Sequence, residues 1–254
     1  MNLKTTAREF KKEVKSSIFK LQNLNKEQFN CPVCNYTGAF KDVHPLTGTR
    51  KHARCPKCYA LERHRIQYLV VEQLLNKMDT SNLSMLHFAP ENFLRSYFAD
   101  KFGSYETADL YMDNVDHQVD LQDLPFDDKS YDFIFASHVL EHIPNDLKAI
   151  AEISRILKPN GIAVLPVPLV AERTIEYPEP NPNEEYHVRA PGLDYFDRYQ
   201  PYFKRVDKVS SDLLPSKYQL YVYEDRSNWP TKECPLRPAM SGSKHLDIVP
   251  VCYV

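Results

Sequence analysis

The apolar positions in the first 29 residues fall at Phe10, Val14, Ile18 and Leu21, a spacing that draws one stripe along a helix. The other faces of that helix carry Lys4, Arg8, Lys11, Lys12, Lys15 and Lys20. A basic amphipathic helix can lie on a membrane; the simpler expectation is a stripe packed on its own protein beneath a solvated charged face. Residues 30–58 lose the apolar periodicity and hold turn residues, Gly38, Gly48 and four cysteines, so this stretch needs a staple to fold. Helical patterning returns over residues 59–78, with Leu61, Ile66, Leu69, Val70, Leu74 and Leu75 apolar. A short strand, 84–88, follows. Pro90 then stands where a helix over ENFLRSYFADKF would begin, because its missing N–H costs nothing at the first helical position.

Further along, strands are expected at 105–110, 115–120 and 131–137. A helix over 146–157 meets a stop signal at Lys158-Pro159-Asn160-Gly161. Residues 162–167 form a continuous apolar run, the kind buried on both faces of a parallel sheet. Residues 171–191 read as a long loop with prolines at 178, 180 and 182, followed by a helix over 194–203 and a strand over 204–210. The last strand lies either at 218–223 or at 246–253. Strands alternating with helices predict a doubly wound α/β sheet. The expected organisation is an N-terminal amphipathic helix (1–29), a cysteine-bearing ribbon (30–58) and a main domain (59–254).

Composition narrows the classes. The 254 residues are 43% hydrophobic, enough for one domain of about 200 residues with a small addition. A net charge of −2 speaks against a globally basic nucleic-acid binder. No run of 18 apolar residues exists to span a membrane. The N-terminus is charged where a signal peptide would be apolar, so the expected location is cytoplasmic.

Four of the six cysteines form two Cys-Pro-x-Cys pairs, Cys31/Cys34 and Cys55/Cys58. Each such turn presents two thiolates from one knuckle, and Zn2+ takes four in a tetrahedron, so a structural zinc site is expected. Four thiolates leave no open position for catalysis. Between residues 41 and 65 seven cations face two acids, a formal +5. Such a ribbon can touch RNA, grip a phosphate or carboxylate on a small substrate, or be plain solvated surface. It lacks the interleaved aromatics that stack bases, which leaves nucleic acid the less favoured partner. Cys234 and Cys252 are expected to pack.

The stretch from Tyr105 to Pro168 contains, in order, DLPF, YDFI, LEHI and RILKPNG. In this order it resembles the class I S-adenosylmethionine-dependent methyltransferases of the small-molecule type, over roughly residues 80–210. The resemblance implies a Rossmann-like, doubly wound, seven-stranded, mostly parallel sheet, with S-adenosylmethionine as cofactor. It also implies that Asp109 binds the ribose hydroxyls, with Leu110 on the adenine. Asp120 would meet the adenine amine, with Leu121 offering backbone contact and Ser137 at the edge of the site. A carboxylate suits a diol because it accepts from both hydroxyls.

The departure is at the first motif. Where the family keeps an acid and Gly-x-Gly, this chain has His87-Phe88-Ala89-Pro90-Glu91, and no glycine lies between Gly48 and Gly103. Glycine serves there because the backbone takes positive φ or approaches the ligand closely. Pro90 also removes an amide. Phe88, Ala89, Pro90 and Glu91 are thus the expected wall of the methionine half, with Glu91 either pairing with the cofactor's amino group or complementing a helix dipole.

The fourth strand's carboxyl end places Ser137, His138, Glu141 and His142 near the reacting centre. His138 is the first candidate for a general base, and Glu141 and His142 are read as architectural. His187, in the family-like HVR of a lid over 171–191, is the second candidate, and Tyr177, Tyr186 and Arg189 are expected to line the same lid. The expected reaction is methyl transfer to a small molecule or saccharide, at oxygen. Two rivals stand beside it: a zinc-ribbon RNA methyltransferase, and a non-catalytic scaffold on the same fold. The residues are silent on oligomeric state.

Overall fold

The computed structural model describes residues 3–254, with side chains from Lys11 onward. Contacts divide the chain into two compact units. One comprises residues 1–71, 210–228 and 241–247; the other comprises 72–209, 229–240 and 248–254.

In the first unit, α1 spans Leu3–Gln22. Phe10, Lys4 and Arg8 of the predicted helix faces lie outside the described side chains. The remaining stripe is not packed: Val14, Ile18 and Leu21 are exposed, and the buried residues Ser16 and Asn23 stand on another face. That face is fixed by polar contacts, with Lys12 over the Tyr59 ring, Lys41 over the Phe19 ring, and Lys57 paired to Glu13. Short strands at Phe29–Asn30 and Thr37–Gly38 pair antiparallel. A second antiparallel sheet holds Lys41–Val43, Arg50–Arg54 and Tyr223–Glu224. The ribbon's unit therefore recruits a distant segment of chain that residues 30–58 alone do not reveal. Helix α2, Glu62–Leu75, crosses the unit boundary.

The second unit is built on a seven-stranded sheet. Its strands are β1 (Ser84–Phe88), β2 (Ser104–Asp109), β3 (His117–Gln118), β4 (Tyr131–Ala136), β5 (Leu157–Val164), β6 (Arg205–Ser210) and β7 (Ile248–Tyr253). They run in the order β6-β7-β5-β4-β1-β2-β3. β1 pairs in parallel with both β2 and β4, β4 in parallel with β5, and β7 antiparallel with β5. This is the doubly wound, mostly parallel α/β sheet read from the strand–helix alternation.

Helix α4, Asp146–Ile156, starts where the Asn145 side chain accepts the Lys148 N–H, and it buries Ala149, Ile150, Ile153 and Ile156 at helical spacing. These residues share one core with Leu86 and Phe88 of β1 and Ile134 and Ala136 of β4. Helix α3 is shorter than expected, Asn92–Ala99, with Glu91 as its N-cap. Pro90 thus sits before the cap rather than at the first helical position.

Several expectations change. The 115–120 strand shrinks to His117–Gln118. The predicted helix over 194–203 is a 3-10 helix, Leu193–Tyr199. The last strand is Ile248–Tyr253 rather than 218–223. The 171–191 loop contains an antiparallel hairpin, Ile175–Asn181 with His187–Ala190. Its register breaks between Glu176 and Asn181, where Pro178 and Pro180 can give no ladder N–H.

Candidate cofactor and metal sites

The order of strands reverses between β1 and β4, and ligands of such sheets sit at the carboxyl ends beside that switch. Register fixes what stands there. Phe88 of β1 is level with Ala108 on one side and Ala136 on the other. The next residue on each strand is Ala89, Asp109 and Ser137, so these three predicted positions occupy neighbouring rungs.

Ala89 has φ +46°, the left-handed backbone that glycine adopts without cost, and its N–H donates to the Ala108 carbonyl at 2.9 Å. The turn geometry expected of a glycine is therefore present without one. Phe88 and Pro90 are buried; Ala89 and Glu91 are half-buried. His87, in place of the family's acid, points elsewhere: it is buried between Phe98 and Phe135, with Nδ1 2.9 Å from the Tyr105 hydroxyl. Burial pushes its pKa down to about 3, so the ring is a neutral core group.

Asp109 is half-buried at the end of β2, and its Oδ1 accepts the N–H groups of Tyr111 (2.7 Å) and Met112 (2.9 Å). This holds the carboxylate at the crevice edge beside the exposed Leu110. Asp120 accepts the Gln122 N–H at 2.8 Å and the Gln122 side-chain amide at 3.2 Å, and Leu121 is buried in the core. Each aspartate thus also organises its own turn. Ser137 is buried at the end of β4.

Past Ser137 the chain makes a second left-handed residue, His138 (φ 55°), whose N–H donates to the Pro166 carbonyl at 2.9 Å. A β4-end residue in that region costs of order 1–3 kcal/mol and is held there by its surroundings. The 3-10 turn Leu140–His142 follows. Glu141 is fully buried, and three imidazoles converge on its Oε1: His138 Nδ1 at 3.3 Å, His142 Nε2 at 4.0 Å and His187 Nε2 at 4.0 Å. Burial acts to raise the Glu141 pKa, but the three histidines outweigh it and hold the carboxyl below its ordinary value. Burial lowers His187 to about 4, so this ring is neutral near pH 7.

The sequence reading treated Glu141 and His142 as architecture; the fold makes Glu141 the hub joining both predicted histidines. Arg189, expected as a lid-lining residue, is instead a buried tether. This buried guanidinium donates to the carbonyls of Leu140 (2.6 Å), Ile143 (2.7 Å) and Pro144 (3.0 Å), and to Glu176 at 3.0 Å. It ties the hairpin to the LEHI turn and seats His187 against Glu141. The HVR pattern was the available signal. Of the predicted lid tyrosines, Tyr177 is buried and bonded to Glu184, whereas Tyr186 is exposed.

In the ribbon's unit the two Cys-Pro-x-Cys turns share one geometry. The N–H of Asn35 donates to Cys31 O and that of Tyr59 to Cys55 O; Asn35 (φ 56°) and Tyr59 (φ 67°) are both left-handed. Cys31 and Cys58 sulfurs are 3.5 Å apart, those of Cys34 and Cys55 3.7 Å, and all four lie within 4.8 Å. Ligands about 2.3 Å from a central ion in a tetrahedron are roughly 3.8 Å apart, so the sulfurs are spaced for one ion. The ribbon's positive charge is partly internal. Arg65 is buried, bonding the carbonyls of Ala53 and Ala60 at 2.8 Å and of Gln219 at 2.6 Å, and Arg50 pairs with the buried Glu62 at 2.8 Å. The +5 of the sequence is not a +5 surface.

Residues 99–165 match the family described as a methyltransferase domain; this stretch spans β2 to β5 and includes Asp109 and Ser137, while β1 and Ala89 precede it. Among curated proteins, the chain is 39% identical over 134 residues to the demethylmenaquinone methyltransferase of Staphylococcus epidermidis, covering 52% of this chain and 47% of that protein. It is 29% identical over 119 residues to the Staphylococcus carnosus enzyme of the same name, covering 46% of this chain and 41% of that one. The chain thus spans about half the length of the curated relatives it matches. Among solved structures, an S-adenosylmethionine-dependent methyltransferase from Mesorhizobium loti shares the fold with a TM-score of 0.52 at 11% identity, over 76% of this chain and all (100%) of that one. Among the described residues no helix is long and apolar enough to cross a membrane.

Proposed function

We propose that the protein is an S-adenosylmethionine-dependent methyltransferase acting on oxygen of a small molecule or saccharide, with a structural zinc ion on Cys31, Cys34, Cys55 and Cys58. The observation that carries the reading is the level row of Ala89, Asp109 and Ser137 at the switch point, with Ala89 in the backbone conformation a glycine would take. Bound there, S-adenosylmethionine supplies an electrophilic methyl on a sulfonium. Phe88, Ala89, Pro90 and Glu91 would wall its methionine half. Asp109 would accept from the ribose hydroxyls beside Leu110, and Asp120 from the adenine amine beside Leu121.

The chain's own task is to place an acceptor oxygen in line and take its proton. As the new O–C bond forms, the electron pair of the broken C–S bond stays on sulfur and the hydroxyl proton passes to a base. Alignment alone is worth up to about 7–11 kcal/mol in favourable systems. His138 is the base candidate: its Nδ1 lies 3.3 Å from Glu141 Oε1, and its Nε2, buried and without a hydrogen-bond partner among the described residues, is the nitrogen an acceptor would have to reach. A base of this kind contributes typically about 10²–10⁴-fold. His187, whose Nε2 lies 4.0 Å from the same Glu141 oxygen, is the second candidate.

The test is transfer of a labelled methyl group from S-adenosylmethionine to a panel of demethylated quinols and saccharides, demethylmenaquinone being suggested by the relatives' name. Transfer to a hydroxyl oxygen of one class, located by the position of the label in the product and lost in Asp109→Ala, is the expected result. Binding of the cofactor with no transfer to any hydroxyl compound, but transfer to nitrogen or carbon, would overturn the choice of oxygen.

A further inference from the structure

Glu141, His142 and His187 leave something unexplained. A fully buried carboxylate ordinarily accepts two or more hydrogen bonds, yet both Glu141 oxygens lack a hydrogen-bond partner of good geometry. His138 Nε2 and His187 Nδ1 are also buried without one. Four polar atoms of one cluster are therefore unsatisfied together, and three imidazoles stand within 4.0 Å of one carboxylate oxygen. One ligand atom each from Glu141, His142 and His187 lies within 4.8 Å of the others.

We propose that Glu141, His142 and His187 form a second metal site, distinct from the four cysteines, that takes one first-row divalent cation of the Zn2+, Fe2+ or Co2+ kind. The donor set decides the class. One carboxylate and two imidazoles suit borderline first-row cations, whereas Mg2+ and Ca2+ prefer oxygen alone and thiolate-seeking ions have the ribbon. Ligands about 2.1 Å from an ion lie roughly 3.4 Å apart in a tetrahedron. The 4.0 Å separations of Glu141 Oε1 from both Nε2 atoms need to close by only a few tenths of an ångström from each side.

The surroundings are those of a prepared site. The His142 and His187 rings meet edge to face at 4.6 Å, and Arg189 fixes the turn that bears two of the ligands. His187 begins a hairpin strand, so the ligands come from two elements pinned to each other. His142 is 36% exposed, which gives an ion a way in. Three protein ligands leave positions open. The cluster follows the carboxyl end of β4, so an open position faces the region where the acceptor is expected, and a hydroxyl bound there would lose its proton more readily. In this arrangement His187 is a ligand, and His138 remains beside the site as the base. The use of the cation rests on the methyltransferase reading; its binding does not.

The experiment is a Co2+ titration of the full chain, with its ribbon metal in place and labile ions removed by a weak chelator. The visible spectrum separates the sites, because only thiolate ligands give sulfur-to-cobalt charge-transfer bands. The expected result is one Co2+ per chain with d–d bands and no thiolate bands. His142→Ala, at a partly exposed position, keeps the fold, and Glu141→Gln is checked by circular dichroism; each is expected to weaken uptake at least about tenfold. Absence of uptake, uptake with thiolate bands only, or unchanged uptake in His142→Ala overturns the proposal. S-adenosylhomocysteine calorimetry on the same samples keeps the two claims apart: Co2+ uptake without nucleoside binding sinks the methyltransferase reading alone, and the reverse sinks the metal site alone.

Discussion

Replacing Arg189 with Met removes the guanidinium while keeping an unbranched stem. In the native protein that group, 2% exposed, satisfies the carbonyls of Leu140, Ile143 and Pro144 and pairs with Glu176. Charged hydrogen bonds contribute about 1.5–3 kcal/mol each, and three summed naively would give roughly 4.5–9 kcal/mol. The sum overshoots, because the bonds share one donor group and Glu176 is half in water, where a replacement solvent contact is available. Breaking a buried charged contact by removing one partner costs about 3–5 kcal/mol, and that is the expected destabilisation. Urea denaturation followed by circular dichroism measures it as a lower midpoint with an unchanged slope. A second readout separates positioning from bulk stability. At urea concentrations where the variant is still folded, His187 loses its seat against Glu141, so Co2+ uptake falls while S-adenosylhomocysteine binding at Asp109 is retained. A loss under about 1 kcal/mol would refute the reasoning, because it would mean the three carbonyls find partners without the guanidinium.

Further outcomes follow from other groups. Cys34→Ser is expected to lower metal content by one equivalent and to unfold the ribbon's unit, seen as rapid proteolysis within residues 30–58; structural zinc contributes folding energy on the order of 10 kcal/mol. Ala89→Gly relieves a left-handed alanine (φ +46°) and should raise stability by about 0.5–1 kcal/mol, read as a small increase in Tm. Asp132 is raised by burial, but Lys158 at 2.7 Å and the Ser84 N–H at 2.8 Å prevail, and its folded pKa lies below the ordinary value. Its contribution is therefore present above the unfolded carboxylate pKa of about 3.9 and is lost as pH falls through the folded value. The stability gap between the native protein and Asp132→Asn should be constant near neutral pH and shrink below about pH 4, by urea titration across pH.

Much of this architecture is legible in the residues, and the exceptions have physical causes. β1 and α4 announce themselves through a short apolar run and a helical apolar face, and tertiary packing uses both as written. The hairpin at 175–190 does not, because Pro178 and Pro180 mark a loop in any local reading, while the chain places them in a register break and pairs the residues on either side. The 3-10 turn at 193–199 also escapes, since its periodicity over one or two turns is indistinguishable from an α-helix. Among the candidate site residues, the cysteines stand out by their spacing and Asp109 only through the family resemblance of the segment around it. Arg65 does not stand out, and Arg189 is legible only as a residue of the lid, because sequence cannot tell a buried guanidinium closing carbonyls from a solvated one. Glu141 lies between: its spacing to His138 and His142 was visible, but its meeting with His187 depends on the hairpin. The first motif departs from the family's glycine pattern in sequence, and the fold sets Ala89 itself in the left-handed region a glycine would take.

The central claim is that the crevice at Ala89, Asp109 and Ser137 binds the adenosyl cofactor, and calorimetry with S-adenosylhomocysteine tests it most directly. The account predicts one site per chain, with affinity reduced at least about tenfold in Asp109→Ala, as expected when a carboxylate's charged hydrogen bonds to a diol are lost. The absence of heat and of any shift in Tm at millimolar ligand would contradict it.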